Sequence, residues 1–112
     1  MGVNWSAIHD EALSFRHQLH RNPELTWQES NTAQRIRSSL DKLDIRWRPC
    51  AEHGTVATLA PCAKGKHIAL RADIDALPIE EATDLPLRSE NPGCMHACGH
   101  DGHTAALWAT AA

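Results

Sequence analysis

The sequence predicts an α/β fold, and three observations predict it. Apolar residues recur at helical spacing over the first forty-odd positions. Beyond Asp44 the pattern changes to short alternating runs bounded by turn residues, the signature of strands. The most apolar of those runs ends on two carboxylates, Asp73 and Asp75, where open α/β sheets place their ligands.

Taken in order, Asn4 is a suitable N-cap, and Ile8, Ala12, Phe15 and Leu19 line one face behind it, giving a helix from about Trp5 to His20. Arg16, His17, His20 and Arg21 place cations near the negative end of its dipole, and Asn22-Pro23 stops it. Thr26-Trp27-Gln28-Glu29 has the spacing of a capping box. With Ala33, Ile36, Leu40 and Leu43 in phase, it predicts a second helix from about Trp27 to Leu43.

Three strands are expected next. Ile45–Arg48 forms the first, ended by Pro49, and Thr55–Ala60 the second, after the turn residues Glu52-His53-Gly54. His67–Ala72, the most apolar, is assigned the central position. From Ala76 to Pro92 the prolines and acids describe a long surface excursion, a length of loop that is usually functional or disordered. A last helix runs from about His100 to the end. Ala109–Ala112 offers no glycine or cation to stop it, so the sequence is expected to be the front part of a larger fold.

Composition narrows the function classes. Eleven basic against fourteen acidic residues give a net charge of -3, and the few aromatics form no basic stacking surface, so neither nucleic acid nor an anionic membrane is an expected partner. No apolar run approaches the roughly 20 residues of a membrane span. The N-terminus lacks the layout of a secretory signal, although Met1–Ser6 has the spacing of a myristoylation motif. Cys50, Cys62, Cys94 and Cys98 are therefore expected to be reduced thiols in the cytoplasm. Of these, Cys98 is the informative one.

The chemistry concentrates in Gly93–Thr104. Between Cys94 and Thr104 lie two thiols, the three imidazoles of His96, His100 and His103, and the carboxylate of Asp101. Soft and borderline donors this close together suit a transition-metal ion. The bland alternative is a polar loop with histidines as helix caps. If the cluster lies beside the strand end, Cys98 and His100 can meet Asp73 and Asp75 around one or two ions, with a carboxylate fixing the tautomer of a ligating imidazole. Metal-assisted hydrolysis of an amide is the natural reaction class. A second reading is a small non-enzymatic metal-binding module using Cys94, Cys98, His100 and one of His96 or His103.

The runs Leu70-Arg71-Ala72-Asp73-Ile74-Asp75-Ala76-Leu77-Pro78-Ile79 and Met95-His96-Ala97-Cys98-Gly99-His100-Asp101-Gly102-His103-Thr104 resemble the amidohydrolase branch of the M20 metallopeptidases, as does Arg16–Leu25. That branch includes hippurate hydrolases, N-acyl-amino-acid hydrolases and auxin-conjugate hydrolases. The resemblance implies a zinc-peptidase-like catalytic domain with a twisted mixed sheet between helices, of which residues 1–112 would be the N-terminal portion. It implies an inserted dimerisation domain, absent here, and frequent homo-oligomers. It implies two divalent metal ions, zinc or manganese, and small N-acyl amino acids as substrates. By position, Cys98 and His100 match metal ligands, Asp75 matches the aspartate that orients the site, and Asp73 stands where sister branches carry a ligating histidine. The family's general-base Glu-Glu pair lies further along. Glu80-Glu81 precedes the cysteine motif and is not that pair, so the 112-residue chain is expected to be inactive alone.

Overall fold

The structure, a computed structural model, describes residues 2–112. The element order is α1 (Trp5–Arg21), α2 (Ser30–Lys42), β1 (Trp47–Cys50), β2 (Gly54–Ala57) and α3 (His100–Ala111). These elements place the chain in the α/β class with an incomplete sheet.

α1 begins as its sequence requires: the Asn4 side-chain oxygen accepts from the Ala7 amide at 3.1 Å, satisfying one of the orphan amides of the first turn. It packs along α3, with Leu19 fully buried and the Phe15 and Trp108 rings 6.1 Å apart. Burial of a leucine side chain contributes about 1.5–3 kcal/mol.

α2 starts three residues later than its pattern predicts. Trp27 has φ 67°, a left-handed conformation that no helix continues, and the Gln28 amide closes a turn on the Leu25 carbonyl. The capping box does not form. Thr26 is turned to Asp75, and Glu29 accepts from the Gln28 amide at 3.1 Å. The cap comes instead from Glu24, whose carboxylate accepts from the Thr32 hydroxyl at 2.6 Å and the Asn31 amide at 3.3 Å, as well as from the Thr32 amide. A negative charge there also suits the positive end of the helix dipole.

β1 and β2 form an antiparallel hairpin, Trp47 opposite Ala57 and Cys50 opposite Gly54. β1 runs through Pro49 rather than ending at it, because a two-stranded sheet has only edge strands, where proline is tolerated. β2 ends at Ala57, short of the expected Ala60, where φ turns to 46° ahead of Pro61. Gly54 is sterically required: a Cβ there would sit 2.3 Å from the Cys50 carbonyl oxygen. Arg37 ties the hairpin to α2, donating to Thr55 Oγ1 at 3.0 Å and to the Gly54 carbonyl at 2.9 Å while lying over the Trp47 ring.

The expected central strand is not one. His67–Ala72 has no ladder partner among the described residues, and Ile68 is 87% and Leu70 62% exposed. Hydropathy registers a segment's wish for burial but not whether a neighbouring strand is there to pair with it. Order returns just beyond it. Ala76 bridges Leu25, its amide donating to the Glu24 carbonyl at 2.8 Å, and Leu77 exchanges two hydrogen bonds with Met95. This seam draws the end of the irregular stretch, the turn after α1 and the approach to α3 into one place. The 76–92 excursion is a loop, as expected, but it is anchored: Glu81 is buried, and the Glu90 amide donates to the Arg21 carbonyl.

Replacing the Glu24 cap is expected to be costly. Glu24→Ala should lower stability by about 1–2 kcal/mol. Urea unfolding should report this as a lower midpoint at unchanged slope; an unmoved midpoint would show that α2 is capped otherwise.

Candidate metal centre

α3 opens on Gly99, whose φ of 80° gives the left-handed turn that brings residue 100 round to face the seam. His100 Nδ1 lies 2.9 Å from the Asp75 carbonyl oxygen and 3.0 Å from Asp75 Oδ1. Both are acceptors, so Nδ1 carries the ring proton and donates it, and the lone pair is on Nε2. An imidazole oriented in this way by a carboxylate is ready to ligate a metal through its other nitrogen.

Asp75 is held in turn. Its Oδ2 accepts from the Thr26 hydroxyl at 2.6 Å. That bond is the chief reason its carboxyl titrates below the ordinary aspartate value; partial burial works the other way, and its own backbone and the His100 ring add to the lowering.

The other expected participants divide. Cys98 presents an exposed free thiol two residues before His100. Asp73 does not join them: its carboxylate is exposed and paired with Arg71 Nη2 at 2.7 Å, while its carbonyl receives the Thr104 hydroxyl. His103 is exposed, its ring 6.0 Å from that of His100. Cys94 is buried, and burial together with the charge of Glu24 pushes its thiol up. A thiol kept protonated is a poor metal donor, which weighs against a module built on Cys94. His96 is buried with neither ring nitrogen partnered, and burial favours its neutral form.

Three residues form a contact that the sequence did not indicate. His20, Glu81 and Asp101 are all buried, with His20 Nδ1 2.8 Å from Asp101 Oδ2 and Nε2 2.9 Å from Glu81 Oε1. Their separations in sequence, 81 and 61 positions, left no local signal. A cleft of 720 Å³ between α1 and α2, lined by Phe15, Gln18, Arg35 and Trp108 among others, contains none of these groups.

Among the described residues no three His, Cys, Asp or Glu side chains gather closely enough to hold an ion. The donors that are present nonetheless fit one: a surface thiol, and an imidazole whose tautomer is fixed with Nε2 free.

The profile of Peptidase family M20/M25/M40 matches residues 69–112, the span that carries both candidate ligands and Asp75. N-acetyl-L-cysteine deacetylase of Bacillus subtilis is 49% identical over 106 residues, 94% of this chain and 26% of that protein. The chain is similar to M20 peptidases over nearly all its length, and its residues 69–112 match the family's profile. N-acetylcysteine deacetylase of the same organism is 45% identical over 107 residues, covering 94% of this chain and 28% of its own length. The crystal structure of the Bacillus subtilis YXEP protein, described as a dinuclear metal-binding peptidase of the M20 family, superposes with a TM-score of 0.90 at 44% identity, over 95% of this chain and 30% of that one. The chain spans about a quarter of the length of these curated relatives.

The Thr26–Asp75–His100 link has a pH signature. Because the folded-state value of Asp75 is depressed, its contribution to stability is complete above the unfolded value of about 4 and is lost as pH falls through the lower folded value. Thr26→Val removes the main cause of that depression. The acid-unfolding midpoint, followed by circular dichroism, should therefore move to higher pH, and an unchanged midpoint would count against the link.

Proposed function

We propose that residues 1–112 are the N-terminal portion of an M20-type catalytic domain, without its dimerisation domain, and that they supply part of the metal site of an amidohydrolase acting on N-acyl amino acids. The observation that carries this reading is the His100 ring, held at Nδ1 by the backbone and carboxylate of Asp75 with Nε2 left free.

Cys98 and His100 Nε2 would hold the metal, and Asp75 sets the direction of the imidazole. Two divalent ions, zinc or manganese, would polarise the scissile carbonyl and make water a nucleophile near neutral pH. The chain's own part is positional. Asp75 keeps the His100 proton on the side away from the metal, and the Leu77–Met95 pairing carries the cluster to the same place as Asp75. The dinuclear metal site named for the YXEP protein supports the pair of ions, and the deacetylase relatives support a small N-acyl amino acid, N-acetylated or hippurate-like, as substrate. Four cysteines without a disulfide fit a reducing, cytoplasmic compartment. Among the described residues no helix is long and apolar enough to cross a membrane.

With no third donor gathered beside Cys98 and His100 among the described residues, the 112-residue chain is expected to bind zinc but to release no amino acid from N-acetylcysteine or hippurate. Competition with a chromophoric chelator should find zinc affinity lowered by about tenfold or more in Cys98→Ala and in His100→Ala, and little changed in Cys94→Ala. Zinc binding indifferent to Cys98 and His100, or lost only with Cys94, would overturn the assignment. Chelator-sensitive turnover by the chain would overturn its inactivity.

A further inference from the structure

The geometry points to His20 as a positioning residue for His100: bridging Asp101 and Glu81 with both ring nitrogens protonated, it fixes where α3 begins. The role rests on the metal-site reading above, and concerns a side chain 80 positions away in sequence from the residue it would control.

With both carboxylates ionised, the two hydrogen bonds need a proton on each ring nitrogen. An ionised carboxylate only accepts, and each nitrogen of His20 faces one, Asp101 Oδ2 at 2.8 Å and Glu81 Oε1 at 2.9 Å. A neutral imidazole could donate to only one of them. Besides His20, the groups facing this network are Arg16, whose Nε is 3.3 Å from the same Asp101 oxygen, Arg88, which donates to the Glu81 carbonyl at 3.2 Å, and His96, whose ring is 6.5 Å from that of His20. The Asp101 and Glu81 side chains are only 1% exposed, and an imidazolium at His20 would lie directly between their carboxylates. His20 also lies in the last turn of α1, where a helix favours a cation.

Glu81 is committed to its charge as well. Burial works to raise its carboxyl, but the Thr83 hydroxyl, the Ser89 amide at 2.9 Å and His20 itself outweigh that and hold it below its ordinary value. The bridge therefore fastens three segments: α1 through His20, the 76–92 loop through Glu81, and the first turn of α3 through Asp101.

Asp101 directly follows His100. Fastening Asp101, together with the Thr104 hydroxyl bonded to the Asp73 carbonyl at 3.1 Å, determines how α3 is turned about its axis. That rotation is what puts His100 Nδ1 on Asp75. Without His20, Asp101 would keep only the partly exposed Arg16 while Glu81 kept its Thr83 and Ser89 donors, and the first turn of α3 would be driven from its place.

Nitrogen-15 spectra of the histidine rings in the metal-free chain near neutral pH test this. In the wild type, both His20 nitrogens should be protonated with slowly exchanging protons, and His100 should be one tautomer, protonated at Nδ1. In His20→Gln, or in His20→Phe, which keeps the ring shape, His100 should become a mixture of tautomers, and zinc affinity should fall about tenfold. Leu40→Val, a comparator destabilised in the core of α2, should change neither. An unprotonated nitrogen on wild-type His20 overturns the bridge and needs no variant to be seen. A single His100 tautomer surviving in either His20 variant overturns the positioning role, as does an equal loss of it in Leu40→Val. A wild-type chain that ignores zinc counts against the metal site alone, because both tautomer readings are taken without metal.

Discussion

The carboxylate of Asp75 is the constraint on which the arrangement depends. One oxygen takes the Thr26 hydroxyl and the other the His100 ring, so a single side chain joins the turn after α1 to the first residue of α3. The next amide, that of Ala76, donates to Glu24, and the residue after that pairs with Met95. Three consecutive residues thus bring together parts of the chain that are otherwise up to 76 positions apart. A group with two acceptor oxygens can do this; an asparagine would offer one acceptor, so that Thr26 lost its partner or His100 kept only the backbone carbonyl of residue 75.

What holds these segments is polar to an unusual degree. The buried apolar side chains are few and mostly small: Leu19, Ala33, Leu40, Ala76, Cys94 and Ala105. Buried polar and charged ones are as prominent, among them His20, Thr32, Glu81, Asp101 and Thr104. Apolar contacts tolerate sliding; hydrogen-bonded charges do not, since each must keep its partner or bear the cost of desolvation alone. A chain whose candidate site needs an imidazole aimed within a fraction of an ångström gains from ties of the second kind. The same logic explains why the apolar His67–Ala72 run contributes nothing to the site, while the ordered seam begins right after it.

Local signals in the sequence were read well. Asn4 as a cap, the period of α1 and the start of α3 at His100 each depend on residues within a few positions of one another. The candidate ligands Cys98 and His100 and their carboxylate Asp75 were legible for a similar reason: the motif is short and dense in donors. The differences that matter for the site involve partners distant in sequence. Thr26 has the credentials of a cap, but Asp75 claims its hydroxyl; the true cap, Glu24, stands outside the pattern that a capping box prescribes. His67–Ala72 has the composition of a central strand, but composition cannot supply a neighbour. Asp73 and Asp75 look equivalent two positions apart, yet Arg71 takes one and His100 the other. His20 read as a favourable charge at a helix end, and Glu81 as one acid among many in a loop. Only the folded chain reveals that they face each other across a buried contact.

The most direct test of the account is the zinc-edge X-ray absorption spectrum of the zinc-loaded chain. Ligation by Cys98 and His100 predicts a sulfur at about 2.3 Å and an imidazole nitrogen at about 2.0 Å from the metal. It also predicts that the sulfur shell disappears in Cys98→Ala and persists in Cys94→Ala. A first shell made only of oxygen and nitrogen, or a sulfur that survives the loss of Cys98, would contradict it.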